Sequence, residues 1–318
     1  LDLILAADQR KVVNIHVRLL YDEERRMFGT LLAMEDQTYI SFLRDSFKQH
    51  ALTPPDEEVV AHSPKMKRVV KQLAELVNND GPVLFSGPSG SGKAFIAAKL
   101  HKSRGLGPQA PLIMLDCREI DAAKFKETLF GSGEILQDDR QFIRFKSLHD
   151  YGTIHLAEGG TLVLLNIDSL GLENLETLNE YVTQVTEESS SLPKCRIVAT
   201  TKVDSTDLEN REHFCESLLT RLLENHVQIP SLHNRRKDIL PLAKLFLASQ
   251  EGVDTKKITR SAENRLLSRQ YNQNNVKELK DAIKLAVLVA DEDTVRSEHI
   301  FTGPMERATD HELDLTDF

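Results

Sequence analysis

Hydrophobic and polar positions alternate twice near the start of the chain. Val13, Ile15, Val17 and Leu19 alternate with more polar neighbours, a charged turn spans Asp22 to Arg26, and Phe28, Thr30, Leu32 and Met34 alternate on the return. This pattern predicts a β-hairpin. A hairpin alone is marginal in water, so these strands are expected to finish a larger sheet. Tyr39 to His50 then reads as a helical connector, broken by Leu52-Thr53-Pro54-Pro55-Asp56. From Glu57 onward helical and extended patterns alternate, which argues for an α/β domain with a parallel sheet. Pro64 suits a first helical position, and Met66, Val69, Val70, Leu73 and Leu76 form the expected buried stripe of the helix it starts. Short apolar runs at Val83 to Ser86, Leu112 to Leu115, Thr161 to Leu165, Arg196 to Thr201 and around Val227 to Ile229 predict five strands. From Arg235 onward only helical patterns remain, at Ile239 to Ser249, Ser261 to Gln270 and Val276 to Ala290. They read as a small helical lid behind a nucleotide-binding sheet.

The candidate chemistry sits between the first of these strands and the helix Phe95 to His101, in Gly87-Pro88-Ser89-Gly90-Ser91-Gly92-Lys93-Ala94. A Gly, four residues and then Gly-Lys is the phosphate-binding spacing. Its glycines let successive N–H groups form an anion nest, to which the helix N-terminus adds a partial positive charge and Lys93 a full one. A plain glycine turn is the alternative, and the apolar strand before and the alanine-rich helix after favour the phosphate loop. Ala94 stands where a hydroxyl residue usually holds magnesium, which argues against a well-held metal.

Length and composition narrow the class. With 318 residues the chain is long enough for two or three compact units. No apolar run approaches the roughly 18 residues that cross a bilayer, and no charged-then-apolar leader is present. Cys117, Cys195 and Cys215 are odd in number and far apart, which fits a reducing cytoplasm better than a disulfide framework or zinc site. A net charge of -9 offers no basic footprint for nucleic acid. The chain begins at Leu1 rather than a methionine, so it is expected to be a piece of a longer protein, with any DNA-binding element in the part not present.

A set of ordered blocks carries a family resemblance. They are Ser63-Pro64-Lys65-Met66, the glycine loop, Leu129-Phe130-Gly131, Ala157-Glu158-Gly159-Gly160-Thr161-Leu162, Arg196-Ile197-Val198-Ala199-Thr200-Thr201, Ile229-Pro230-Ser231-Leu232, Arg236-Lys237-Asp238-Ile239 and Asn275-Val276-Lys277-Glu278-Leu279. Together they resemble the AAA+ central domain of bacterial enhancer-binding proteins, the activators of sigma-54 RNA polymerase. The close of the hairpin, Met34-Glu35-Asp36-Gln37-Thr38, resembles the Asp-X-Thr end of a PAS sensor domain. The resemblance implies residues 1–39 as the end of a PAS-like domain and 40–56 as a helical linker. It further implies 57–233 as the AAA+ α/β nucleotide-binding subdomain, 234–302 as the AAA+ helical lid and 303–318 as an acidic tail.

Departures from the family pattern bear on activity. The family ends the strand matching Thr161 to Leu165 in an Asp-Glu pair that organises magnesium and polarises the attacking water, and here those positions are Leu165 and Asn166. Phosphoryl transfer is nearly all positioning and electrostatics, so the loss removes metal support and water-orienting base together. Asp168 and Glu158 are the nearby candidates for substitutes, though neither occupies the strand-end position; Leu165 reads as the continuation of a buried strand. Of two arginine fingers that reach a neighbouring subunit's phosphate, one position is Cys215 and the other Arg221, whose bland reading is a solvated helix residue. The sensor asparagine appears as Lys202 and the lid arginine as Lys277, which keeps the charge but loses the planar fork. The Gly-Ala-Phe-Thr-Gly-Ala loop that contacts the sigma factor is replaced by Ser132-Gly133-Glu134-Ile135-Leu136-Gln137-Asp138-Asp139-Arg140. Arg140, Arg144 and Lys146 with Phe142 and Phe145 read as an ordinary helix face, with a nucleic-acid or dinucleotide surface as the alternative, and His149, His155 and His226 lack metal-ligand spacing.

The expected protein is therefore a nucleotide-binding, non-hydrolysing AAA+ module of a bacterial transcriptional regulator, holding ATP or another nucleotide such as ADP or a cyclic dinucleotide. The alternatives are a working ATPase with relocated acids and a self-association scaffold with a vestigial loop. Gly87, Pro88, Ser89, Gly90, Ser91, Gly92, Lys93, Ala94 and, through the resemblance, Lys277 are the nucleotide-binding candidates, with Arg221 as an inter-subunit finger. No catalytic residue or metal ligand is assigned. Self-association and contact with RNA polymerase are the expected partnerships, and no membrane is implied.

Overall fold

The computed structural model describes residues 2–5, 9–21, 27–36, 58–107, 110–131, 152–185, 192–204, 207–208, 214–250, 257–290 and 294–301. Strict alternation gives the expected hairpin: β2 (Gln9–Tyr21) pairs antiparallel with β3 (Met27–Asp36), with Val17 opposite Leu32 and a register shift between Leu20 and Tyr21. A third strand that alternation did not predict, β1 (Asp2–Leu5), pairs antiparallel with β2, so the hairpin is two-thirds of a meander. The proposed connector from Tyr39 to His50 lies outside the described residues.

All five short apolar runs become one sheet, β4 (Val83–Ser86), β5 (Leu112–Asp116), β6 (Thr161–Leu165), β7 (Arg196–Thr201) and β8 (His226–Gln228), in the order β5-β6-β7-β4-β8. Pairs β5–β6, β6–β7 and β7–β4 all run parallel. Strands β4 and β7 are buried at every position, which is why their sequences read as runs rather than alternations. Between the strands run α2 (Lys93–Ser103), α3 (Phe125–Phe130), α4 (Thr153–Leu156), α5 (Leu172–Val185) and α6 (Glu216–Leu223), all following α1 (Pro64–Leu76). Leu162, Leu164, Ile197 and Ala199 of the sheet share one core with Leu175, Leu178 and Tyr181 of α5 and Leu218 and Leu222 of α6. Each such fully buried leucine contributes at most about 3 kcal/mol.

The chain divides into two compact units, each assembled from several stretches. One takes Leu1–Glu57, Glu75–Ser86 and Ala94–Val227, and the other takes Glu58–Ala74, Gly87–Lys93 and Gln228–Phe318. In the second unit α7 (Ile239–Ala248), α8 (Arg260–Ser268) and α9 (Asn275–Val289) pack around Ile239, Phe246, Leu266, Tyr271, Leu279 and Ile283. A two-residue parallel pair, β9 (Lys257–Ile258) with β10 (Thr294–Val295), ties the start of α8 to the chain after α9. Met66, Val69, Leu73 and Leu76 of α1 are buried as expected, but Val70 is 38% exposed. The stripe is narrower than the apolar pattern suggested, following only one row of three- and four-residue steps. Among the described residues no helix is long and apolar enough to cross a membrane.

The start of α1 is held by a carboxylate far away in sequence. Asp238, fully buried, accepts from the backbone N–H groups of His62 and Ser63, both at 2.7 Å, on Oδ1, and from Ser63 Oγ at 2.7 Å on Oδ2. Ser63 Oγ in turn accepts from Met66 N at 3.2 Å, as a helix cap does. Removing one partner of such a buried network leaves donors desolvated and unpaired. Asp238→Ala is therefore expected to cost about 3 kcal/mol of stability, read as a lower urea midpoint with little change in slope.

Candidate functional site

The glycine loop follows β4, and its conformation is one that only glycine permits at two places. Gly87 has φ +142° and Gly90 φ +68°, and a Cβ on either would collide with a carbonyl, that of Ile229 or that of Asn274 respectively. The loop's carbonyls are all engaged. Lys93 Nζ donates to Gly87 O at 2.6 Å and to Pro88 O at 3.0 Å. Asn275 Nδ2 donates to Ser89 O at 2.9 Å, Val276 N–H to Gly90 O at 3.0 Å, and Arg235 Nη2 to Ser91 O. The N–H groups of Ser89, Gly90 and Gly92, by contrast, make no hydrogen bond among the described residues, and the buried Ser91 Oγ has no partner there. A loop with quenched acceptors and open donors favours an anion.

Asn275 and Arg235 make this arrangement rigid. Asn275 takes a left-handed backbone, φ 44°, and its Oδ1 also accepts from Leu232 N at 2.8 Å, so one buried amide joins loop, lid helix and the turn before α7. Arg235 is 4% exposed, and burial lowers its pKa to about 10, still fully cationic at neutral pH. Neither role had a sequence signal beyond the motif around Asn275, because the contacts span 144 and 186 residues.

Where β5, β6 and β7 end, the structure brings together a second group. Leu165, half-buried rather than fully buried, closes β6, and Asn166 follows it in a left-handed conformation, φ 55°. The Asn166 N–H donates to Thr200 Oγ1 at 3.1 Å and its Nδ2 to Asp116 Oδ1 at 2.9 Å. Asp116 also accepts from Arg118 N–H at 3.1 Å and Nε at 3.0 Å on Oδ1, and from Arg118 Nη2 at 2.6 Å on Oδ2. Oδ1 thus takes three donors and Oδ2 one. The Arg118 hydrogen bonds, chiefly, hold the Asp116 pKa down at about 2. Asp116 is the carboxylate that sequence reasoning missed. Its only signal was an acid at the end of a predicted strand.

Of the substitutes weighed from sequence, Asp168 lies at this same edge and accepts from Thr201 Oγ1 at 2.8 Å. Glu158 precedes β6 and so stands at the other end of that five-residue strand, about 16 Å away along it. Lys202 and Lys277 are exposed, Arg221 is half-buried on α6, and Cys215 is buried at the α6 N-cap. Lys277 contributes its backbone N–H to Gly90 O at 3.4 Å. His226 Nε2 meets Ser86 Oγ at 2.7 Å, and burial lowers its pKa, as it does that of His155, to about 4 in the latter case. His149, the segment Ser132 to Arg140, and Phe142, Arg144, Phe145 and Lys146 lie outside the described residues. Among the described residues no three His, Cys, Asp or Glu side chains are grouped to hold a metal ion.

A parallel sheet whose first strand runs into a Gly-rich loop of phosphate-binding spacing, followed in the chain by a helical unit, has the AAA+ architecture. Residues 59–228 match the family described as the sigma-54 interaction domain, and 233–314 match the AAA+ ATPase lid domain. The chain belongs to the sigma-54 interaction domain family. It is 30% identical over 264 residues to the DNA-binding transcriptional regulator NtrC of Azospirillum brasilense, covering 78% of this chain and 53% of that one. It is also 28% identical over 249 residues to the transcriptional regulatory protein FlbD of Caulobacter vibrioides, covering 76% of this chain and 53% of the relative. The chain spans about half the length of the curated relatives it matches. Its fold is that of NtrX from Brucella abortus in complex with ADP, at a TM-score of 0.65 and 21% identity over 82% of this chain and 59% of that one.

The depressed Asp116 pKa carries a pH signature. A carboxylate whose folded pKa lies below its ordinary value near 4 stabilises the fold fully above that pH, and its contribution is lost as pH falls toward about 2. Arg118→Ala should raise the Asp116 pKa toward the ordinary value in a carboxyl NMR titration, and its stability deficit against wild type should shrink between those two pH values.

Proposed function

We propose that this chain is the nucleotide-binding AAA+ module of a bacterial transcriptional regulator, and that it binds phosphates through Gly87 to Ala94 without hydrolysing them. The observation that carries the binding half is the loop whose carbonyls are engaged while the N–H groups of Ser89, Gly90 and Gly92 are left open. A nucleotide supplies the polyphosphate charge, and the loop amides, Ser91 Oγ and Lys93 would hold it. The relatives' structures with ADP and with ATP support the same choice of ligand class.

The non-hydrolysing half rests on donor chemistry. Ala94 and Leu165 offer no oxygen at the two positions where the family resemblance places metal support, so the residues present do not fit a magnesium ion held in the family manner. Asn166 is not a base. Asp116 beside it is held by Asn166 and Arg118 and has a pKa of about 2, far from the near-neutral value that suits a general base. The segment Ser132 to Arg140 carries no aromatic-threonine tip, which supports a regulator that meets RNA polymerase without remodelling sigma-54. The meander at the start supports reading it as the end of a PAS-like sensor. With a net charge of -9, contact with DNA is assigned to another part of the protein.

Calorimetry with ATP, ADP, GTP and cyclic dinucleotides should show binding of at least one, weakened tenfold or more by Lys93→Ala. No heat from any of them would leave the loop vestigial and favour the scaffold reading. Phosphate release by wild type should not exceed the Lys93→Ala background, and a Leu165→Asp, Asn166→Glu double mutant is the variant in which turnover should emerge. A wild-type rate well above that background would instead establish a working ATPase.

Arg221 persists while its companion position is Cys215, so dimers or weak oligomers are expected, with assembly little affected by nucleotide. Light scattering that found a hexamer only with ATP would overturn this.

A further inference from the structure

Where β4, β6 and β7 begin, a cavity of about 470 Å³ opens, lined by residues of the sheet unit and by none of the phosphate loop. Its apolar lining includes Val182 and Val185 of α5 with Ile197 and Leu106. Its charged lining is chiefly cationic. Arg196, the first residue of β7, is 4% exposed, donating from Nη2 to Leu76 O at 2.8 Å and from Nε to Gly81 O at 3.4 Å. Its Nη1 is buried without a hydrogen-bond partner. Both accepting groups are neutral carbonyls, and among the described residues no carboxylate is bonded to this guanidinium.

Arg104 lines the same cavity and is close enough that its charge adds to burial in lowering the Arg196 pKa to about 10, at which Arg196 is still charged at neutral pH. Lys194 is a third cation on the lining. Asp80 is the acid on the lining, and it pairs with Arg104 from a side chain 85% exposed to water, while Glu158 stands close enough to act on the lining residues Tyr181 and Cys195. Three cations, of which Lys194 is exposed, against these two carboxylates still leave the recess net positive, and a buried cation such as Arg196 without an anionic partner is costly.

We propose that this recess binds a small organic anion, with a carboxylate or phosphate head at the Arg104–Arg196 wall and an apolar arm against Val182, Val185 and Ile197. The site is independent of the phosphate loop and would give the module a second, effector-type ligand. A binding site of this make-up, apolar with a few convergent charges, is the common form of small-molecule pockets.

The test uses phenylacetate and phenyl phosphate as the two anionic probes and benzyl alcohol as the neutral control, titrated into the full 318-residue chain with saturating ADP present. Methyl NMR signals of Val182, Val185, Ile197 and Leu106 should shift with at least one anion and not with benzyl alcohol, and the stronger anion identifies the head group. Arg104→Gln should weaken binding at least fivefold, and Val185→Trp, which fills the recess but leaves all three cations in place, should abolish it with unchanged melting temperature. Equal shifts with benzyl alcohol, no shift with any probe, or full binding by both variants would each overturn the proposal. Loss of the methyl shifts on withdrawing ADP alone would also overturn it, because the recess would then depend on the phosphate loop.

Discussion

A loop that offers its amides to an anion has to dispose of its carbonyls, and that constraint organises the unit around Gly87 to Lys93. Five successive carbonyls, from Gly87 to Ser91, find donors in Lys93, Asn275, Val276 and Arg235. Three of these four come from beyond β8, which is why the loop clusters with the lid helices rather than with the strand that precedes it. A buried polar network of this kind is rigid where its members are satisfied, and each one left over is costly. Asn275 itself is satisfied at both ends of its amide, and its left-handed backbone is the strain accepted for reaching Leu232 and Ser89 at once.

The strand ends of the sheet are arranged by the same rule with a different result. There the polar groups satisfy one another: Asn166 with Thr200 and Asp116, Asp116 with Arg118, Asp168 with Thr201. A carboxylate that is the focus of four donors is held ionised and in place, and a pKa of about 2 makes it a poor acceptor of a proton from water. The edge is a closed network, whereas the glycine loop is an open one. Structure and reactivity are thus separated by where hydrogen-bonding capacity has been left over.

Much of this was legible in the sequence because it follows from local rules. Runs such as Val83 to Ser86 and Arg196 to Thr201 are buried on both faces, so burial writes itself into composition, and the Gly-to-Lys spacing has one structural solution between a strand and a helix. The limits were physical as well. Val70 lies one helical step outside the buried row, too small an angular difference for a 100° periodicity to resolve. Arg235 and Asp238 act through partners 144 to 176 residues away and Asp116 meets Asn166 across 50 residues, and a single polar residue carries no periodic mark of such a partner. Leu165 extends an apolar strand and so reads as buried, yet it is only half-buried, unlike the last residues of β4 and β7. The absence of an acid there was nonetheless plain from sequence.

Binding and turnover can part company in such a module because they draw on different interactions. Loop amides and a lysine stabilise phosphate oxygens that are already charged in the ground state, so they lower the free energy of bound nucleotide and transition state nearly alike. Only groups that respond to the charge developing on the transferring phosphoryl and the attacking water change the rate, and each tenfold in rate corresponds to about 1.4 kcal/mol of such differential stabilisation. On the function proposed above, the positions that would supply it are Leu165, Asn166 and Ala94, of which two have no polar side-chain atom and the third spends its amide on Asp116. A site left with loop amides and lysine would report whether nucleotide is present. The fastening of Gly90 to the first turn of α9 would give that report a mechanical route, since an anion that tightened the loop would also fix the N-terminus of that helix.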